Sequence, residues 1–262
     1  MSLTILKLGG SVITAKRQDR PEVNERALSR LAREIRAALL KKGMRLIVVH
    51  GAGPFGHVPA KRYGLDRGLK RASQVRGMAQ THRCMEVLNS RVVGALLDAT
   101  VNAIAFQPSA GGILEDGKLV SFPLESIERL LRLGLVPVSY GDVLPDLKAG
   151  LGILSGDHLV PYLAERLAAD RVIIATSHNG IFDCDPDSKG AKRLDCVDER
   201  MLGELDARAT SGTDVTGGIG RKVRELMALS RHGVRSEILS GCKPGHVRRA
   251  LCGECGIGTV IV

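Results

Sequence analysis

Strand-sized apolar runs alternate with stretches of helical spacing along the whole chain. Residues 3–10 (LTILKLGG) read as a buried strand that ends in two glycines, and residues 45–53 (RLIVVHGAG) repeat the pattern. Between them, apolar residues at 28, 31, 35, 38 and 39 follow one helix face, which predicts a helix over 22–42. A second long helix is expected over 73–99, with Val75, Met78, Met85, Leu88, Val92 and Leu96 broadly on one side. Residues 101–109 read as a strand, 112–122 as a hairpin around Asp116-Gly117, 123–133 as a helix and 135–142 as a strand. The second half repeats the scheme, with a helix at 155–169, a strand at 171–180 and a helix at 219–233 stopped by Gly233. Strands at 234–241 and 257–262 follow. This alternation predicts an α/β fold with a mainly parallel sheet. No repeat, low-complexity segment or flexible linker breaks it, so the chain reads as one compact unit whose two lobes meet near 142–156.

Composition narrows the classes of function. The chain has 262 residues, 44% hydrophobic and 25% charged, enough to bury a large core. No apolar run approaches the ~20 residues of a membrane helix. The opening MSLTILKLGGSV has no charged n-region or cleavage site, so a cytoplasmic protein is expected. Six cysteines, at 84, 184, 196, 242, 252 and 255, fit reduced thiols in a reducing compartment. Cys252 and Cys255 form a lone C-x-x-C, without the second pair that a zinc site wants. The 38 basic and 28 acidic residues give a net charge of +10. Such a field could draw a polyanion. Yet only 3% of residues are aromatic and there is no Trp, so stacking platforms for nucleic acid are scarce. The basic residues are spread over helical segments such as 25–43, as on a solvated face. An anionic small molecule is the expected partner, with neither nucleic acid nor membrane.

The candidate chemistry sits at strand ends and helix starts. Lys7-Leu8-Gly9-Gly10-Ser11 closes the first strand. Glycines there let the backbone approach a phosphate and aim N–H groups at it, with the Lys7 ammonium pointing into the same space and Lys16 following. The bland alternative is an ordinary strand-to-helix turn. His50-Gly51-Ala52-Gly53-Pro54-Phe55-Gly56-His57 closes the second strand. Its glycines make another open cradle, with His57 at the far edge able to donate to a phosphate oxygen. A solvent-facing loop is the plain reading for His57, and a buried, backbone-satisfied ring is the preferred one for His50. Tyr140-Gly141-Asp142 ends a strand and Ser155-Gly156-Asp157 opens a helix, where a carboxylate could hold a lysine or meet Mg²⁺. Thr213-Asp214-Val215-Thr216-Gly217-Gly218 precedes a helix bearing Lys222, an arrangement that attracts phosphate. No G-x-x-x-x-G-K-[ST], dinucleotide fingerprint or nucleophile elbow is present. In a parallel sheet these ends line one crevice. Phosphoryl transfer asks for that: positioning and charge neutralisation.

These segments together resemble the amino acid kinase family, and within it the branch that phosphorylates isopentenyl phosphate. The likeness runs in order through ILKLGGSVIT (5–14), VVHGAGPFGH (48–57), QPSA (107–110), LVPVSYGDVLPD (135–146), ILSGDHLVPYLAERL (153–167), TDVTGGIGRKVREL (213–226) and GIGTVI (256–261). The resemblance implies a three-layer αβα sandwich with an open, eight-stranded, mainly parallel sheet. It implies transfer of the γ-phosphoryl group of ATP, with Mg²⁺, to isopentenyl phosphate. The N-terminal lobe (about 1–150) would hold the acceptor, and the C-terminal lobe (about 151–262) the ATP. Lys7 and Lys222 would neutralise the moving group and Lys16 the terminal phosphates, while Asp157 organises the lysines. Gly9, Gly10, Ser11, Thr176, Asp183, Gly217 and Gly218 would serve ATP. Ala52, Gly53, Gly56, His57, Met78, His82, Asp142 and Gly156 would serve the acceptor. A homodimer is the family expectation. Another kinase of this family, acting on a different phosphate or a phosphonate such as fosfomycin, is the alternative. A non-catalytic sensor or nucleic-acid binder on the same fold is the more distant one. One departure stands out: where the family carries T-D-V-D-G, this chain has Thr176-Ser177-His178-Asn179-Gly180. The pocket helix also carries Met78, Thr81, His82 and Met85 where bulky aromatics are common.

Overall fold

The computed structural model describes residues 1–15, 21–203 and 219–262, with the backbone alone at 219–222. Its core is an eight-stranded sheet. β1 (Leu3–Leu8) lies at the centre, paired in parallel with β2 (Arg45–His50) on one side and β9 (Arg171–Thr176) on the other. Outward from β2 run β6 (Val136–Tyr140) and β3 (Ala103–Ala105). Outward from β9 run β11 (Arg235–Ser240), β12 (Thr259–Ile261) and β10 (Cys196–Val197). All these pairings are parallel except β11 with β12. Every residue of β1 is buried, as a strand covered on both faces requires. That makes Lys7, in the middle of LTILKL, a costly residue in need of a partner.

Helices cover both faces. On one side α2 (Glu25–Lys42), α4 (Ser73–Asp98) and α8 (His246–Leu251) pack Leu28, Leu31, Ile35, Leu88, Val92, Leu96 and Val247 onto the sheet. On the other, α5 (Leu124–Arg132), α6 (Gly156–Arg166) and α7 (Ile219–Ser230) supply Ile127, Leu131, Leu159, Leu163, Val223 and Leu226. This is the expected αβα sandwich. Local signals set its helix ends. Asn24 caps α2 by accepting from Ala27 N at 3.1 Å. Gly43 ends α2 in the left-handed conformation at φ 54°. Ser155 caps α6 by accepting from His158 N at 3.2 Å.

A second sheet has four strands: β4 (Ile113–Glu115), β5 (Lys118–Ser121), β7 (Asp142–Asp146) and β8 (Gly150–Leu154), in the order β5-β4-β7-β8. The β4–β5 hairpin turns at Asp116-Gly117 as expected, both with positive φ, 52° and 74°. The β7–β8 hairpin departs from the sequence reading, which ended its strand at 142. Pro145 sits in β7 at its exposed position, so it breaks the pattern without breaking the ladder. β8 pairs antiparallel with β7 from Asp142↔Leu154 to Asp146↔Gly150. Asp146 ties both hairpin turns together, accepting from Asp116 N (3.2 Å), Gly117 N (2.8 Å), Lys148 N (2.9 Å) and Ala149 N (2.8 Å). Two further departures concern helices. Residues 54–63, to which the sequence pattern assigned no element, belong to α3 (Gly53–Tyr63), which forms despite Pro59 inside it. Val75, expected on the buried side of α4, is 59% exposed.

Candidate active site

The two glycine-rich strand ends meet backbone to backbone. At the end of β1, Gly9 N donates to Ala175 O on β9 at 2.8 Å; at the end of β2, Gly51 N donates to Leu8 O at 2.9 Å. A Cβ at Gly10 would stand 2.4 Å from Gly53 N, and one at Gly51 would stand 2.7 Å from Gly10 N. Gly53 adopts φ 51°, and a side chain there would strike Thr14 Oγ1 at 2.6 Å. No other residue type fits this contact. Ser11 is exposed beside it in the short helix α1 (Gly10–Ile13), and Ala52 stands at the N-terminal cap of α3.

Lys7 reaches into the same end of the sheet. It is 5% exposed, and its Nζ donates to Asp157 Oδ1 at 2.5 Å. Asp157 belongs to the first turn of α6, so the sequence reading that a carboxylate at a helix start could hold a lysine is realised. Gly156 makes the approach possible, since a Cβ there would come within 3.2 Å of Lys7 Cε. Gly141, at the end of β6, packs within 3.2 Å of Gly156 N by the same measure. On the β9 side, Asp157, Val160, Pro161, Ile174, Glu225 and Leu226 line a small cleft. His158 Nε2 lies 3.5 Å from Glu225 Oε1 at its edge.

Most of the residues that the resemblance assigns to the acceptor stand on α3, α4 and β7. His57 is exposed on α3, on a helix rather than in the loop expected for it. Gly56, beside it, is buried against Ala52 Cβ and Met85 Sδ. Met78 packs with Val143, Leu151 and Ile153. His82, one turn further along α4, places Nδ1 at 3.1 Å from both oxygens of Asp142. His50 is fully buried, with ring nitrogens 3.1 Å from Gly51 O and from Asn89 Oδ1. Burial pulls its pKa down to about 4 against those two hydrogen bonds, so it is neutral and structural, as preferred. Burial, then the Asp142 and Glu86 carboxylates, push the Tyr140 hydroxyl well above its ordinary range.

The residues that the resemblance assigns to the nucleotide continue at the end of β9 and beyond it. Thr176 Oγ1 donates to His178 O at 2.8 Å, and Asn179 Oδ1 accepts from Ser240 N at 3.3 Å. Ser177 O accepts from Ser240 Oγ at 3.4 Å, so this acid-free turn is fastened to β11 by neutral bonds. Asp183 accepts from Lys192 N at 2.9 Å, and that N–H holds its carboxyl below the usual range. Its carboxylate therefore shapes the loop. Lys16, Gly217 and Gly218 lie outside the described residues, and Lys222 is placed only by its backbone, in the first turn of α7. Among the described residues no group of three or more His, Cys, Asp or Glu is placed to hold a metal, and no helix is long and apolar enough to cross a membrane. The six cysteines are free, with Cys252 buried and Cys255 exposed. Sequence reasoning did not single out Ser109, Gln107 or Glu86. Ser109 and Gln107 stand in QPSA, a segment noted only for its likeness.

A sheet end with paired glycine turns, a buried lysine and a helix-start aspartate defines a phosphoryl-handling α/β protein. The Amino acid kinase family model matches residues 2–240, and the chain belongs to that family. Within it, the chain is similar to the isopentenyl phosphate kinase of Methanothermobacter thermautotrophicus, 38% identical over 99% of this chain and 98% of the relative. It is similar also to that of Haloferax volcanii, 40% identical over 87% of this chain and 89% of the relative. A solved structure described as isopentenyl phosphate kinase superposes with a TM-score of 0.84 at 35% identity, covering 99% of this chain and 100% of the other.

Proposed function

We propose that this protein transfers the γ-phosphoryl group of Mg–ATP to isopentenyl phosphate, yielding isopentenyl diphosphate and ADP. One observation carries the reading: Lys7, fixed by Asp157 at 2.5 Å, stands beside two glycine turns packed too closely for any side chain. Two phosphorylated molecules meeting there need their charge neutralised and their oxygens held in line. Lys7 presents its ammonium to the moving group, with Lys222 opposite and Lys16 on the terminal phosphates. Gly9, Gly10 and Ser11 offer donors to ATP, with Gly217 and Gly218, and Thr176 and Asp183 flank the nucleotide. Gly53, Gly56 and His57 hold the acceptor phosphate, and Met78 and His82 line its alkyl group, with Ala52, Asp142 and Gly156 behind. The acceptor oxygen is already anionic at neutral pH, so no strong general base is required. Mg²⁺ enters as part of the nucleotide substrate, since Asp157 Oδ1 is engaged by Lys7. The N-terminal lobe takes the acceptor and the C-terminal lobe the nucleotide, in a cytoplasmic homodimer.

A coupled ADP-release screen tests this. Isopentenyl, dimethylallyl and longer prenyl monophosphates are compared with fosfomycin, carbamate and uridylate. Isopentenyl phosphate should give the highest kcat/KM. A higher value for any of the three controls would replace the proposal with another kinase of this family.

A further inference from the structure

The acceptor wall contains a polar brace. Asp142 is 2% exposed, and its carboxylate sits where β7 begins, beside α4 and the turn formed by residues 107–110. It accepts from Val143 N at 2.9 Å, from Ser109 N at 3.4 Å and from His82 Nδ1 at 3.1 Å through each oxygen. Because an ionised carboxylate only accepts, the His82 proton is on Nδ1. Ser109 Oγ lies 3.3 Å from the same nitrogen and accepts from Gln107 Nε2 at 3.0 Å. His82 Nε2 faces outward, 3.7 Å from Glu86 Oε1.

The brace sits midway along the stretch of α4 that faces the acceptor. One turn before His82, Met78 packs against the cluster of Ala60, Leu65, Val143 and Leu151; one turn after, Met85 closes on Gly56. A buried carboxylate is tolerated only while its donors stay in place. His82 and Ser109 therefore cannot drift from Asp142, and α4 cannot drift from β7. We infer that Asp142 is a positioning residue which, through His82 and Ser109, fixes the width of the acceptor pocket and so the length of alkyl phosphate it takes. The inference rests on the reading of this site as a prenyl phosphate kinase.

The test compares wild type with His82→Leu, His82→Asn, Asp142→Asn and Ser109→Ala. Each is assayed on isopentenyl phosphate and on geranyl phosphate, with the KM for ATP measured alongside. His82→Leu and Asp142→Asn should raise the KM for isopentenyl phosphate about tenfold and leave the KM for ATP within about twofold. They should also raise the ratio of kcat/KM for geranyl over isopentenyl phosphate about tenfold. His82→Asn, whose amide N–H takes the place of Nδ1 against Asp142, should keep the wild-type ratio. A merely structural role would lower activity on both acceptors alike and raise the KM for ATP as well, which overturns the inference. So does a His82→Asn enzyme as altered as His82→Leu. If the Asp142 and His82 variants do not fold, Ser109→Ala decides, with a shift of about threefold expected and an unchanged ratio overturning the inference. A wild type inactive on every prenyl monophosphate overturns the function reading and this inference together. An active wild type with unmoved ratios overturns the inference alone.

Discussion

Adding one methyl group at Gly10 attacks the phosphate cradle at its tightest point. The new Cβ would lie 2.4 Å from Gly53 N and 2.8 Å from Gly53 Cα. Such atoms rest at roughly 3.5 Å, so the two turns must part by about 1 Å. Both are anchored, Gly9 to Ala175 O at 2.8 Å and Gly51 to Leu8 O at 2.9 Å, so the strain falls on the cradle itself. A displacement of about 1 Å at a reacting centre costs on the order of 100-fold in rate, or about 2.7 kcal/mol of transition-state stabilisation. Overpacking costs about 1–3 kcal/mol, which lowers Tm by roughly 3–10 °C in a chain of this size. Coupled ADP release and a thermal melt read the two effects separately. Gly43→Ala is the control: Gly43 has φ 54° and nothing within 4 Å, so it should lose about 1 kcal/mol of stability and no activity. A Gly10→Ala enzyme with kcat/KM within about threefold of wild type would refute the close apposition of the two turns.

Asp157→Asn should lower kcat by roughly 100-fold, because Lys7 loses the carboxylate that aims it; unchanged kcat in steady-state assays would remove Asp157 from that role. His57→Ala should raise the acceptor KM at least about tenfold with ATP affinity near normal, and a calorimetric titration showing the reverse would move His57 to the nucleotide. Met78→Phe should shorten the preferred alkyl chain, read from the same acceptor series, whereas an unchanged series places Met78 outside the pocket. Asp146 gives a pH signature. Burial raises its pKa, but four backbone N–H groups outweigh that and hold it at about 2, against 3.8 unfolded. That difference contributes about 2 kcal/mol, present in full above pH ~4 and lost as pH falls towards 2. Urea melts of Asp146→Asn should therefore show a loss at pH 7 that shrinks at acid pH; a pH-independent loss contradicts the assignment.

The parts of the fold that were legible carry their signal locally. LTILKL and RLIVVH are mostly apolar runs closed by glycine, and the structure pairs them side by side as β1 and β2. The α2 pattern was plain because its apolar spacing and its caps, Asn24 and Gly43, agree. α3 was hidden by Gly53, Pro54, Gly56 and Pro59, all poor helix formers. Gly56 is there because Ala52 and Met85 leave no room for a side chain, a tertiary demand that overrides propensity. The β7–β8 hairpin was hidden by Pro145, Gly150 and Gly152; Asp146 pins its turn from within, and from outside Leu69 N donates to Ala149 O at 2.7 Å. Lys7 and Asp157 were both singled out, each by its place at a strand or helix end, although 150 residues separate them. The Asp142–His82–Ser109 brace was not, because it joins residues 60 and 33 positions apart through geometry that no spacing encodes.

The most direct test of one cleft joining two phosphates is ³¹P NMR of the protein mixed with Mg–ATP and isopentenyl phosphate. Coupled diphosphate doublets should grow as the monophosphate signal fades, in step with ADP. ADP appearing with inorganic phosphate alone, or an unchanged monophosphate signal, would contradict that transfer.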